Sequence, residues 1–71
     1  MRLTFDPEAD GGYIYFKDIK AGEVVRTITI TMTSDGTLGM LNVDVDAGDR
    51  VLGIEVVGVS RVMPGGRFPQ E

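Results

Sequence analysis

From Val51 to Ser60 the chain reads Val-Leu-Gly-Ile-Glu-Val-Val-Gly-Val-Ser, an apolar run dense in β-branched residues with one carboxylate, Glu55, at its centre. β-branched side chains are stiff about χ1 and pack well on a pleated surface, so this run predicts a strand. Its two faces are Leu52, Ile54 and Val56 on one side and Val51, Gly53, Glu55, Val57 and Val59 on the other. A strand that is apolar on both faces needs cover on both, from the rest of its own chain or from another molecule.

The rest of the chain is short of material for that cover. Seventy-one residues make one small domain, and a chain of this size buries only about 60% of the surface its unfolded form exposes. With no Cys and no His, disulfides, thiolate sites and the commonest zinc ligand are excluded. Self-association is the staple that remains, so a homo-oligomer is expected. The net charge of −4, the pI near 4.6 and the scatter of seven basic residues exclude a basic footprint for nucleic acid. No apolar run approaches the roughly 20 residues that cross a bilayer, and the N-terminus shows neither a signal-peptide core nor a lipidation motif. A cytoplasmic protein without a nucleic-acid or membrane partner is expected, and the lack of cysteine suits a reducing compartment.

Strand patterns recur along the chain, separated by turn residues. Arg2-Leu3-Thr4-Phe5 alternates and stops at Asp6-Pro7, where Asp6 can cap a short helical turn through Glu8-Ala9-Asp10. Tyr13 to Lys17 has Ile14 and Phe16 on one face, Tyr13 and Tyr15 on the other. Glu23 to Met32 alternates strictly, with Val24, Ile28, Ile30 and Met32 opposite a row of Thr27, Thr29 and Thr31 that faces solvent or a partner. Ser34-Asp35-Gly36-Thr37 carries a tight-hairpin signal. Leu41 to Asp46 alternates again, Ala47 to Arg50 turns, and the Val51 strand returns. After Met63, two prolines and two glycines in eight residues predict a flexible tail over 64–71, following a single domain over 1–63. Ser60 is placed to cap a helical turn before Pro64.

The expected fold is all-β: five or six antiparallel strands in a meander, forming a curled sheet or roll. Its expected core is Leu3, Phe5, Ile14, Phe16, Ile28, Ile30, Val43, Val45, Leu52, Ile54 and Val56.

Few residues suggest chemistry. Asp44, Asp46 and Asp49 bring calcium to mind, but the central Gly and distal Glu of such a loop are missing, leaving a solvated strand face and turn chemistry. Glu55 has two readings: a structural carboxylate neutralised by Arg26 or Arg61, or a general acid or base with a pKa raised by Val51, Val57 and Tyr13. Tyr13 and Tyr15 suit either ring stacking against a ligand or packing in a protein interface. No phosphate-binding glycine loop and no nucleophile motif occurs, and no cofactor is expected. Glu55, Tyr13 and Tyr15 are thus the candidate binding residues, and Val57 and Val59 the candidate interface. A protein-interaction module is the first functional reading, and a small-ligand-binding protein or enzyme using Glu55 and Tyr13 the second.

Phe5-Asp6-Pro7-Glu8-Ala9-Asp10 followed by Tyr13-Ile14 and Phe16, with Asn42-Val43-Asp44-Val45-Asp46 and Gly53-Ile54-Glu55-Val56 through Ser60, resembles the family known as domain of unknown function 2283. These are small bacterial, archaeal and phage proteins. The resemblance covers most of residues 1–61. Gly11-Gly12 departs from the family's Ala-Leu, Met32 to Met40 is longer than typical, and the tail after Met63 lacks the family's short helix. Some members lie beside toxin genes, so the resemblance implies an antitoxin-like or partner-binding role as a further alternative.

Overall fold

The computed structural model describes residues 1–33 and 37–70. Five strands, β1 (Arg2–Asp6), β2 (Gly11–Tyr15), β3 (Arg26–Thr31), β4 (Met40–Val45) and β5 (Val51–Val57), precede a short helix α1 (Val59–Val62) and a 3-10 turn at Pro64–Gly66. All the pairings are antiparallel, in one open sheet of order β1-β2-β5-β4-β3. The all-β antiparallel class is as the alternation predicts. The order is not that of a simple meander, because β5 lies between β2 and β4. The Asp35-Gly36 turn signal falls outside the described residues.

Directly paired residues share a face of a sheet. The register therefore aligns Leu3, Ile14, Ile54, Val43 and Ile28 in one row, and Phe5, Gly12, Val56, Leu41 and Ile30 in the next. On the opposite face Thr4, Tyr13, Glu55, Asn42 and Thr29 form one row, and Arg2, Tyr15, Gly53, Asp44 and Thr27 another. A slip of one residue in any strand would exchange these sets, so burying the first fixes the register.

The apolar face is covered at one end by the chain's own C-terminal segment. Gly58 has a positive φ of 87°, which turns the chain out of β5 and into α1. Val59, which begins that helix, is completely buried with Val56 and Phe68, and Leu3, Ile14, Leu41, Val62 and Met63 pack around them. The Phe68 ring stacks on Phe5 at 6.0 Å between centroids and sits over Gly12, where any Cβ would collide with it.

Three expectations change as a result. Residues 64–71 were expected as a flexible tail, yet Phe68 is only 8% exposed and belongs to the core. An aromatic side chain with a bare glycine to rest on gains more from burial than its Pro- and Gly-rich flanks suggest. Val59, expected at an interface, is interior because the strand ends at Val57 and the chain turns. Of the expected core, Val45, Leu52 and Val56 are buried, but Phe5, Phe16, Ile28 and Ile30 stand exposed on the apolar side. Their faces are as expected; of the four, Phe5 is stacked by Phe68, and Phe16, Ile28 and Ile30 lie outside the cluster that the C-terminal segment covers.

Candidate functional site

The polar face of the sheet brings together most of the residues that the sequence offers for chemistry. Gly53 has no side chain, so the Tyr13 ring lies across it and its hydroxyl donates to Asp44 Oδ2 on β4 at 2.5 Å. Asp44 Oδ1 accepts a second bond from Thr27 Oγ1 at 2.6 Å. Burial and the hydrogen bond to Asp44 push the Tyr13 phenol well above its ordinary value of 10.0, since ionisation would set a phenolate against a carboxylate.

A second chain of bonds runs beside the first. Thr29 Oγ1 donates to Asn42 Oδ1 at 2.7 Å, and Asn42 Nδ2 donates to Glu55 Oε1 at 2.8 Å. Tyr13 and Tyr15 pack at 4.5 Å between centroids, and the Arg2 guanidinium lies 3.9 Å over the Tyr15 ring. The threonine row thus does face solvent, and Thr27 and Thr29 use their hydroxyls on the acidic and amide groups of β4.

Glu55 lies beside Tyr13 and Asn42 in exposed surroundings, and neither arginine proposed for it is its partner. Arg26 pairs with Asp49 at 2.6 Å, while Arg61 donates to the Leu38 carbonyl at 2.9 Å and lies 3.7 Å from Asp10. Tyr15 and Val57 are half-buried. The three aspartates act separately: Asp44 on the polar face, Asp49 with Arg26, and Asp46 accepting the Gly48 and Arg50 N–H groups of its turn, each at 2.9 Å. Those two backbone bonds hold the Asp46 carboxyl below its ordinary value. Among the described residues no group of three or more His, Cys, Asp or Glu is placed to hold a metal ion.

A constellation that sequence reasoning missed lies at the other end of the sheet. Asp10, at a positive φ of 53°, accepts the Ser60 N–H at 3.0 Å and the Ser60 hydroxyl at 2.6 Å. Its backbone carbonyl accepts the N–H groups of Gly58 and Val59 at 3.0 and 2.9 Å. Asp10 thereby satisfies the otherwise orphaned donors that open α1, and Ser60, expected to cap the helix itself, instead gives both its donors to Asp10. The turn before it is capped by Asp6, whose carboxylate accepts the Glu8 N–H at 3.0 Å, and is closed by the Asp10 N–H donating to the Pro7 carbonyl at 3.4 Å, the single capped turn that the sequence predicts there. The signal available was the spacing of the two sequence motifs, one ending at Asp10 and the other at Ser60.

These features define a small single-sheet all-β protein with a self-bonded polar face, an apolar face covered at one end, and a polar clasp that ties the cover down. The chain belongs to the family described as Protein of unknown function (DUF2283), whose model matches residues 2–60, from the first strand to the serine of the clasp. No curated protein and no solved structure matches it. No helix among the described residues is long and apolar enough to cross a membrane.

Proposed function

We propose that this protein is an interaction module that associates with a copy of itself. The observation that carries the proposal is the uncovered part of the apolar face, where Ile28 and Ile30 on β3 are 41% and 48% exposed in a chain with little core to spare. Contiguous exposed apolar surface on a small protein is characteristic of a contact site. The surface lies opposite Tyr13 and Tyr15, so the contact moves from the face on which Val57 and Val59 were expected to form it.

A ligand or catalytic role for Glu55 and Tyr13 has less support. Their polar atoms already bond within the sheet, to Asn42 and to Asp44, and a phenol pushed upward is a poor base at neutral pH. The absence of cysteine fits a cytoplasmic setting for the module. Sedimentation equilibrium at micromolar concentration tests the reading: a mass at least twice 7.7 kDa is expected, and a single species at the monomer mass overturns it.

A further inference from the structure

We infer that two copies join edge to edge through β3, antiparallel about a two-fold axis at Thr29, so that two five-stranded sheets become one of ten. This rests on the self-association proposed above and specifies its surface. β3 is a terminal strand of the sheet, and each of its residues is exposed.

The backbone of that edge is set for pairing. Met32 N–H donates to the Gly39 carbonyl at 3.0 Å, continuing the β3–β4 register in which Ile30 faces Leu41 and Ile28 faces Val43. Antiparallel ladders alternate hydrogen-bonded and non-bonded pairs. The N–H and C=O groups of Ile28 and Ile30 therefore turn towards β4, and those of Thr27, Thr29 and Thr31 turn outward. An open row of donors and acceptors is a template for another strand.

The sequence along this edge, Thr27-Ile28-Thr29-Ile30-Thr31, reads the same in both directions. In an antiparallel pair centred on Thr29, Thr29 meets its own copy and Thr27 meets Thr31 of the second copy. These are the positions whose backbone groups the β3–β4 register turns outward. Ile28 then faces Ile30 of the second copy in the non-bonded pairs, where side chains come closest. A two-fold axis perpendicular to the sheet keeps every isoleucine on the apolar face and every threonine on the polar one, as self-complementary contact demands. No charge lies between 27 and 31, and Arg26 falls opposite Met32 of the second copy, so no like charges meet.

The other edge is less accessible. Phe68, Pro69 and Gln70 line a cleft along Arg2 to Phe5 of β1, so an approaching strand would meet them as well as the edge. All six residues of β3, by contrast, are exposed.

The test uses the chain's lack of cysteine, with Thr29→Cys and Thr4→Cys placing single thiols at the midpoints of the two edges. A short bismaleimide should convert most Thr29→Cys protein to covalent dimer and little of the Thr4→Cys protein. Thr29→Pro removes an N–H that the β3–β4 register turns outward, and edge strands tolerate proline there; it should keep its strand circular dichroism and sediment as a monomer. Should Thr29→Pro fail to fold, the cross-linking alone decides. A wild-type oligomer that persists in folded Thr29→Pro, or that cross-links through Thr4→Cys and not Thr29→Cys, overturns the β3 pairing while leaving self-association standing. A wild-type monomer overturns both.

Discussion

The carboxylate of Asp10 and the hydroxyl of Ser60, fifty positions apart in the chain, meet at 2.6 Å. The contact joins the turn between β1 and β2 to the start of α1, and so holds the C-terminal cover against the sheet. Ser60→Ala removes the hydroxyl bond and leaves the Ser60 N–H bond intact, so a loss of about 1 kcal/mol is expected in urea unfolding. Asp10→Asn should be worse than Ser60→Ala, because Asp10 also faces Arg61. Equal, negligible effects would remove the clasp from any structural role.

Acid should loosen the protein through the same group. The Ser60 hydroxyl, the Ser60 N–H and Arg61 hold Asp10 below its ordinary 3.8; Lys17 and the Lys20 N–H lower Glu23 below 4.5, and the Arg50 and Gly48 N–H groups lower Asp46. A carboxylate whose pKa is depressed by folding stabilises the native state above its unfolded value, and that contribution disappears as pH falls through the folded one. Urea midpoints should thus be flat from neutrality down to about pH 5 and fall below about pH 4. The three carboxylates keep part of their surface in water, so the fall should be modest and smaller in high salt.

Tyr13 makes the opposite prediction in alkali. Its phenol is held protonated in the fold, so stability should decline as pH rises above 10.0, the ordinary tyrosine value. Absorbance titration should show one tyrosine ionising late, and Tyr13→Phe should abolish that late component. The substitution should cost about 1 kcal/mol, the net worth of a typical hydrogen bond, since Thr27 continues to satisfy Asp44.

Phe68→Ala should be the most damaging of these changes. It removes an aromatic ring from a three-residue buried cluster and uncovers Gly12 and Val56, for which a loss of about 3 kcal/mol is expected. Thermal unfolding is a sufficient measurement. A change within a few tenths of a kcal/mol would mean that residues 64–70 contribute nothing to the fold.

How legible all this was in the sequence depended on the kind of information required. Alternation located each strand to within a few residues, because facing is a local property with a period of two: Thr27, Thr29 and Thr31 do share one face, and Leu52, Ile54 and Val56 the other. Neighbourhood is not local. Nothing in the order of hairpins says that Val51–Val57 enters between β2 and β4, and Glu55 therefore met Asn42 and Tyr13 in place of Arg26 or Arg61. Phe68 was hidden by its prolines and glycines, which describe the path of the backbone and not the destination of one ring. The Asp10–Ser60 pair lay in two recognisable motifs, but only the fold could show that they touch.

The central position of β5 also governs the order of events when the chain is made. β1 with β2, and β3 with β4, are hairpins of adjacent segments that can close as soon as they are synthesised. Each is then a two-stranded ribbon, which is marginal by itself in water. Of the five strands the one that unites them comes after the other four, so the two ribbons remain separate until it is made and then become a sheet in a single step. Chains stalled before Val51 should accordingly be protease-sensitive, whereas those extended past Phe68, which completes the buried cluster, should acquire resistance abruptly.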